Sequence, residues 1–260
     1  MPVRAVADPA DPEFDDFRDL TDADVRPDRR GIVIAEGVNV VERLLSSPYR
    51  VRAVVGVPAR LEALAPHLRE LDAPVLAVDK WLLSQVVGFR VTRGVLASAD
   101  RPAPLDPDEL IARSDRIAVL ESLNDFENLG SLFRNAAAFG VDAVLLDPQC
   151  ADPLYRRSVR VSMGHVLRVP FAVLPGQGPA ALDQVRAHGH RVLALTPRGE
   201  QLLRSLDAPP RWALLLGAEG PGLTPATLAA ADMRVRIPMA GGVDSLNVAT
   251  AAAVAFAQLT

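Results

Sequence analysis

The segment NDFENLGSLFRNAAAFG, residues 124–140, places one guanidinium group, that of Arg134, on an otherwise apolar predicted helix. Arg134 lies five positions after Leu129, about 140° around the helix axis, and therefore off the apolar stripe. Asn128 is predicted to be the N-cap and Gly140 to follow the C-cap. Two interpretations are open: a capped core helix with one solvated arginine, or a polar pocket at the end of a parallel strand, where ligands of open α/β sheets bind. The stripe is formed by Leu129, Leu132, Phe133, Ala136 and Ala137.

A carboxylate, that of Glu219, stands in the glycine-rich stretch LLLGAEGPGL, residues 214–223. Glycines allow the backbone to approach a ligand closely. The spacing is not the G-x-G-x-x-G of dinucleotide-binding loops, and the carboxylate would face a pyrophosphate. The stretch therefore favours a neutral or cationic ligand.

A third polar segment, RIPMAGGVDSLNVATAAAVAF, residues 236–256, joins a predicted strand to the last predicted helix. Ser245 and Asn247 are both predicted to cap that helix, and Ser245 alone is most simply a cap. Three strand-to-helix transitions thus pair glycines with uncommon polar side chains. Together they indicate one shared site.

Alternating strands and helices must position these segments. The alternation begins at Gly31, pauses in a proline-rich stretch after Ala99, and resumes with RIAVLES, VDAVLLDP, VPFAVL, RVLALTP, RWALLLG and VRIPM as strands. Asp152 and Pro153 predict the start of a helix that reaches Met163. Strands that are apolar throughout predict an α/β fold with a parallel sheet and helices on both faces.

The predicted domain organisation has four parts. They are an acidic N-terminal tail (1–28), a small α/β domain (29–100), a linker (101–114) and a larger α/β domain (115–260). The tail holds 9 acids and 3 arginines, a net charge of −6, whereas residues 29–100 hold 7 acids and 10 bases, a net charge of +3. The overall charge of −4 therefore masks a mildly basic domain, which is compatible with RNA binding.

Composition narrows the class of protein. A hydrophobic content of 49% and a charged content of 23% are typical of soluble globular proteins. No apolar run reaches about 18 residues, which predicts that no helix spans a membrane. The acid-rich start predicts no secretion, and the single cysteine, Cys150, excludes an internal disulfide. A reducing cytoplasm is the expected location, and no metal site is expected.

The motifs resemble a known family. In order and spacing, NLGSLFRNAAAFG, LLLGAEGPGL and IPMAGGVDSLNVATA resemble the three motifs of SpoU/TrmH-type RNA ribose 2′-O-methyltransferases of the SPOUT superfamily. RRSVRVSMGHVLRVPF resembles the family's R-x-S-x-G segment. Residues 29–100 resemble, through AEGVNVVERLL and RGVLASA, the RNA-binding domain that often precedes it. The chain departs from the usual pattern at Phe126, Asp244 and His165, where the family commonly has Pro, Glu and a small residue.

The resemblance implies a C-terminal trefoil knot, S-adenosylmethionine as cofactor, and a homodimer with active sites at the subunit interface. It implies methyl transfer to a ribose 2′-hydroxyl of structured ribosomal or transfer RNA, without a metal or a membrane. The implied catalytic residues are Asn128, Arg134, Glu219, Ser245 and Asn247. The implied cofactor-binding residues are Leu216, Gly217, Ala218, Gly220, Gly222, Ile237, Pro238, Met239 and Leu246. Arg156, Arg157 and Arg160 are candidates for binding RNA phosphates, or equally for a solvated helix face.

In such a reaction the protein must align the hydroxyl oxygen with the methyl group and ease loss of the hydroxyl proton. A guanidinium keeps its proton up to about pH 12, so Arg134 is expected to act as an electrostatic positioner that acidifies the hydroxyl rather than as a base. Asn128, Glu219, Ser245 and Asn247 are expected to fix the geometry.

Three other functions compete with this one. A non-catalytic RNA-binding protein could keep the fold, but intact Asn128, Arg134, Glu219 and Asn247 argue against it. A nucleotide-binding oxidoreductase would need a phosphate-tolerant loop, which Glu219 disfavours. A cysteine-dependent base methyltransferase would need a partner for Cys150, which is more simply a small buried residue.

Overall fold

The structure, a computed structural model of the chain, describes residues 3–22, 26, 28 and 30–260. The strands in chain order are β1 (Arg4–Ala5), β2 (Ile32–Glu36), β3 (Val51–Gly56), β4 (Val75–Ala77), β5 (Val95–Asp100), β6 (Arg116–Glu121), β7 (Ala143–Leu146), β8 (Phe171–Val173), β9 (Arg191–Leu195), β10 (Gln201–Leu202), β11 (Trp212–Gly217) and β12 (Met233–Arg236). The α-helices are α1 (Val38–Leu45), α2 (Pro58–Ala63), α3 (Ala65–Leu68), α4 (Lys80–Val87), α5 (Pro107–Ala112), α6 (Phe126–Ala138), α7 (Arg156–Val161), α8 (Pro179–Ala187), α9 (Pro225–Ala230) and α10 (Val248–Leu259). Short 3-10 helices lie at Pro12–Phe17, His165–Leu167 and Leu203–Ser205.

These elements form two compact units. Unit 1 comprises Met1–Ala103 and Asp152–Arg168, and unit 2 comprises Pro104–Ala151 and Val169–Thr260. The segment Asp152–Arg168, predicted to belong to the larger domain, is therefore part of unit 1. Two contacts within unit 1 account for this. The Arg156 guanidinium donates to Glu36 of β2 at 3.2 Å, and Arg43 of α1 donates to the carbonyl of Met163.

The N-terminal residues also depart from the prediction, since most of the expected acidic tail is built into unit 1. Strand β1 pairs in parallel with β4, and the 3-10 helix buries Phe14 and Phe17 completely. Their spacing of three residues places both rings on one face of a 3-10 helix. The acidic side chains stay outside, as Asp11 does when it accepts a hydrogen bond from Arg4.

The sheet of unit 1 has the strand order β1-β4-β3-β5-β2. Strands β3 and β4 are parallel, whereas β5 runs antiparallel to both β2 and β3. Strands β2, β3 and β4 therefore end, and β5 begins, at the same edge of the sheet. This edge is called the carboxyl edge of unit 1 below.

Helix α7 begins later than predicted. Its N-cap is Tyr155, not Asp152. The Asp152 carboxylate accepts hydrogen bonds from the Leu154 amide and from Arg101 in the turn before the helix. The guanidinium of Arg156 lies 4.5 Å from the centre of the Phe89 ring. Burial lowers the pKa of Arg156, and the carboxylate of Glu36, which is itself buried, opposes that effect.

Unit 2 contains the predicted parallel sheet, in the order β10-β12-β9-β11-β6-β7-β8. Every pairing in it is parallel. Alternate side chains of a strand face opposite sides. In β11, Ala213 and Leu215 join a core that contains buried residues of α5 and α8, while Trp212 stacks on Phe256 of α10 on the other side. Helices therefore cover both faces, as predicted.

Within the described residues, no helix is long and apolar enough to cross a membrane. The same part of the chain has no group of three or more His, Cys, Asp or Glu side chains placed to hold a metal ion.

Candidate active site

The three polar segments of the sequence meet at the carboxyl ends of the strands of unit 2. The direction in which the chain adds strands to the sheet reverses at β6. Strands β7 and β8 are added on one side of β6, whereas β11 and the remaining strands lie on its other side. Ligands of open α/β sheets bind in the crevice at such a point. The C-terminal residues Glu121 of β6 and Gly217 of β11 are direct neighbours across this crevice.

The loop after β11 doubles back on itself. Gly222 donates its amide to the Ala218 carbonyl at 2.9 Å, and a Cβ on Gly217 would lie only 2.3 Å from the carbonyl carbon of Gly222. Gly222 has φ +70°, which side-chain-bearing residues rarely adopt. The far end of the loop is held by Glu121, whose Oε1 accepts the Thr224 amide at 2.8 Å. The glycines therefore permit a tight, backbone-lined loop.

Asn247 joins all three segments. Its Oδ1 accepts the amides of Ala249 and Thr250 and thereby caps α10. Its Nδ2 donates to Asn128 Oδ1 and to Glu219 Oε1, each at 2.7 Å. A side-chain amide has one acceptor oxygen and two N–H donors, so the helix cap fixes which end faces Asn128 and Glu219. The prediction that Asn247 caps the last helix is confirmed, whereas Ser245 lies before the cap.

The first segment forms α6, with its apolar stripe buried as predicted: Leu129, Leu132, Phe133 and Ala136 are fully buried, and Ala137 is half-buried. The prediction that Asn128 is the N-cap is wrong. Asp125 is the N-cap, since its carboxylate accepts the amides of Glu127 and Asn128. Asn128 lies in the first turn, where its side chain is available to Asn247. Gly140 follows the C-cap Phe139 with φ +65°, as predicted.

Arg134 is exposed and lies off the stripe of α6. Within the described part of the chain, no hydrogen bond or ion pair engages its guanidinium. Arg134 is also not among the residues that line the large cavity formed beside the other two polar segments. The next residue, Asn135, donates to the Ala249 carbonyl at 2.8 Å. Helix α6 is therefore tied to α10 beside Arg134, while the guanidinium itself remains free.

A large open cavity, of about 1020 Å³, lies beside Asn247 and Glu219. Small-molecule sites commonly have volumes of about 300–1,000 Å³. Of the predicted cofactor-binding residues, Pro238 is exposed and does not line the cavity. The predicted residues that do line it are Leu216, Gly217, Ala218, Gly220, Gly222, Ile237, Met239 and Leu246, together with the catalytic candidates Glu219, Ser245 and Asn247.

One wall of the cavity, the loop at residues 196–198 after β9, was not predicted from the sequence. The available signal was its position, because β9 is a parallel strand between β11 and β12 and its end must lie at the same edge. The role of Glu121 was not predicted either. Its position, as a carboxylate at the end of an apolar strand, could have indicated it.

The three arginines predicted to bind RNA have different surroundings in unit 1. Arg156 is turned inward against Glu36 and Phe89, so it holds α7 in place instead of facing a phosphate. Arg160 lies 3.8 Å from the same Glu36 carboxylate. Arg157 is exposed.

Cys150 is half-buried, and burial raises the pKa of its thiol to about 12. Its sulfur accepts the Leu123 amide and donates to the Leu120 carbonyl. A thiol that stays protonated near neutral pH is a poor nucleophile, which agrees with the structural role expected for Cys150.

Known proteins match the chain over most of its length. The model of the SpoU rRNA methylase family matches residues 115–257. An uncharacterized tRNA/rRNA methyltransferase of Mycobacterium tuberculosis is 49% identical over 267 residues, covering 100% of this chain and 92% of that protein. A 23S rRNA (guanosine-2′-O-)-methyltransferase of Acinetobacter baylyi is 31% identical, covering 84% of this chain and 93% of that protein. The crystal structure of an AdoMet-bound rRNA methyltransferase from Sinorhizobium meliloti superposes with a TM-score of 0.81 at 27% identity, covering 99% and 97% of the two chains.

Proposed function

The chain belongs to the SpoU rRNA methylase family, and from that membership we propose that it transfers a methyl group from S-adenosylmethionine to a ribose 2′-hydroxyl of structured ribosomal or transfer RNA. The observation that carries the proposal is the bridge from Asn247 to both Asn128 and Glu219. It joins the three segments that resemble the family motifs in one polar network beside a cavity.

The residues of the cavity fit S-adenosylmethionine, which is bound in the related structure from Sinorhizobium meliloti. Apolar side chains suited to the faces of an adenine, such as Leu216, Ile237 and Met239, lie among backbone groups of the glycine loops. The cofactor carries a sulfonium cation, and Glu219 supplies a carboxylate of opposite charge at the same cavity. When bound, the cofactor supplies an activated methyl group.

The residues of the chain would then orient the ribose and ease loss of its proton. Asn247 holds Glu219 and Asn128 in fixed positions, and Ser245 lines the cavity next to them. Arg134 would bind the RNA phosphate and lower the pKa of the 2′-hydroxyl through its charge, since a guanidinium does not give up its own proton.

We further propose the trefoil knot and the homodimer that the family resemblance implies. The free guanidinium of Arg134, which does not line the cavity of its own chain, supports a site that is completed at the subunit interface. Unit 1 is proposed as the RNA-binding domain and unit 2 as the catalytic domain, and the enzyme is proposed to act in the cytoplasm.

The test is methyl transfer itself. Purified protein, tritiated S-adenosylmethionine and RNA from cells lacking the gene are incubated, and mass mapping of nuclease fragments locates the label. We expect one ribose 2′-O-methylated nucleotide in ribosomal or transfer RNA. Label on a base, or no label while the cofactor binds, would contradict the proposal.

A further inference from the structure

We propose that the carboxyl edge of unit 1 holds the RNA substrate, with Arg60, Lys80 and Arg93 on phosphates and Trp81 stacked on an unpaired base. The choice of RNA as partner rests on the proposed function. The surface itself lies entirely within unit 1.

The pairing of the strands brings four loops together at this edge. Gly56, the last residue of β3, is opposite both Ala77 of β4 and Val95 of β5, and Glu36 of β2 is opposite Leu96. The loops that follow β2, β3 and β4 and the loop that precedes β5 are therefore adjacent. With neighbouring strands about 4.8 Å apart, the edge from β4 to β2 is about 14 Å long.

Two arginines lie against glycine backbone at this edge. The side chain of Arg93 passes so close to Gly37 that a Cβ there would be 3.0 Å from Arg93 Cδ. Arg60 lies against Gly94 in the same way, at 3.2 Å. Arg60, Arg93 and the nearby Lys80 are exposed, and in the part of the chain that the structure describes none of their charged groups has a carboxylate partner.

The opposite end of the same sheet is neutralised. There Arg52 donates to both Asp16 and Asp100, and Arg50 also pairs with Asp100. Arg50 and Arg52 are thus paired at that end, whereas Arg60, Lys80 and Arg93 at the carboxyl edge have no carboxylate partner among the described residues, which is the asymmetry expected of a phosphate-binding surface.

The carboxylates near the carboxyl edge do not neutralise the charges of Arg60, Lys80 and Arg93. Glu36 is buried and paired with Arg156. Asp79 caps α4 by accepting the Leu82 amide at 2.8 Å. Glu62 of α2 is exposed. Among the described residues at this edge, the three cations Arg60, Lys80 and Arg93 therefore outnumber the exposed carboxylates Glu62 and Asp79, and Asp79 already accepts a helix amide.

Trp81 adds a stacking surface to this edge. It lies in the first turn of α4, directly after Lys80, and is 69% exposed, the highest exposure of any aromatic residue that the structure describes. Aromatic rings beside free cations bind single-stranded nucleic acid, because the ring stacks on a base while the cations follow the backbone. A contact with another protein would instead be expected to surround the ring with apolar side chains.

The experiment uses the intact protein with transcribed 23S ribosomal RNA and with bulk transfer RNA as probes. The chain has two tryptophans, and Trp212 is buried, so quenching of the exposed tryptophan reports on Trp81. We expect RNA to quench this emission. Trp81→Phe should remove the emission change while largely keeping the affinity for RNA.

Trp81→Ala should weaken RNA binding about tenfold, within the range for one lost stack. The double variant Arg60→Ala/Arg93→Ala should reduce the slope of log affinity against log salt by about 1.5.

Arg50→Ala is the matched control, since it removes one positive charge from the opposite end of the sheet and should leave RNA affinity unchanged. Cofactor titration should give the same affinity in every variant. Wild-type RNA affinity in Trp81→Ala, or an equal loss in Arg50→Ala, would overturn the proposal, as would a change in sedimentation of Trp81→Ala without loss of RNA binding. If these losses occur but no variant or wild type methylates RNA, the proposed function fails while the RNA-binding edge stands.

Discussion

The amide nitrogen of Asn247 lies 2.7 Å from the carboxylate of Glu219, while the oxygen of the same amide caps α10. The oxygen of this side chain therefore stabilises α10, and its nitrogen holds Glu219 and Asn128 at the candidate site. The two roles can be separated by a single substitution.

Asn247→Asp keeps an oxygen for the helix cap, because Asp and Asn are comparable N-caps. It removes both N–H donors and places a second negative charge beside Glu219. We expect a melting temperature close to that of the wild type and a loss of methyl transfer of about 10²-fold or more, the scale of one preorganised polar group. Asn247→Ala, which loses the cap as well, should also melt earlier. Equal activity in Asn247→Asp and the wild type would show that the bridge is only structural.

Cofactor choice follows from the loop after β11. Glu219 disfavours a pyrophosphate and favours a sulfonium cation, so we expect S-adenosylmethionine to bind in the micromolar range, at about −8 kcal/mol, and NAD not to bind. Isothermal titration with both ligands measures this directly. Preferential binding of NAD would contradict the assignment of the cavity.

The proposed dimer is testable in solution. Several small residues of α10 are already used within the chain, since Ala249, Ala252 and Ala255 are buried, while Ala251 and Ala253 remain half-buried. Sedimentation at micromolar concentration should give twice the 27.8 kDa mass of the chain. A monomer that methylates RNA at the full rate would refute a shared site.

His190 makes stability depend on pH. Burial lowers its pKa below 6.5, although hydrogen bonds to the carbonyls of Ser114 and Val185 oppose this. Because the folded pKa is depressed, the unfolded chain binds more protons below about pH 6.5, and the free energy of unfolding must fall as the pH drops through that window. Denaturant unfolding from pH 8 to pH 5 should show this decrease. His190→Gln should have a smaller slope than the wild type, and an equal slope would contradict the role given to His190.

Periodicity and strand order made much of unit 2 predictable. The stripe of α6 is buried as predicted, because a 3.6-residue repeat of apolar residues admits one orientation against a sheet. The parallel sheet followed from strands that are apolar on both faces. These features depend on local patterns and on general packing rules.

Features that depend on long-range partners were not predictable. Asn128 was predicted to be the N-cap of α6, but Asp125 is the N-cap. Both residue types are good N-caps, and the backbone conformation determines which of them occupies that position. Arg156 was predicted to bind an RNA phosphate or to lie on a solvated helix face, because no local pattern shows that Glu36, 120 residues away, pairs with it. The acidic tail was misjudged for the same reason, as the core that receives Phe14 and Phe17 is formed by later strands. Because α7 is part of unit 1, a deletion of residues 29–100 would leave α7 without the strands on which it packs. Point variants are therefore a cleaner test of unit 1.

The free guanidinium of Arg134 is proposed to promote methyl transfer. Arg134→Ala should fold normally, because an exposed helical Arg→Ala change costs little, and should bind S-adenosylmethionine about as well as the wild type. Lysine should not replace it, since a point charge lacks the planar fork of donors. Arg113→Ala, at another exposed arginine of unit 2, is the matched control.

The decisive measurement is the rate of tritiated methyl incorporation into RNA by Arg134→Ala, taken beside a thermal melt and a cofactor titration of the same sample. We expect a rate lower by about 10²–10³-fold, with melting temperature and cofactor affinity unchanged. A rate equal to those of the wild type and Arg113→Ala would contradict it and leave Arg134 as a solvated charge on a core helix.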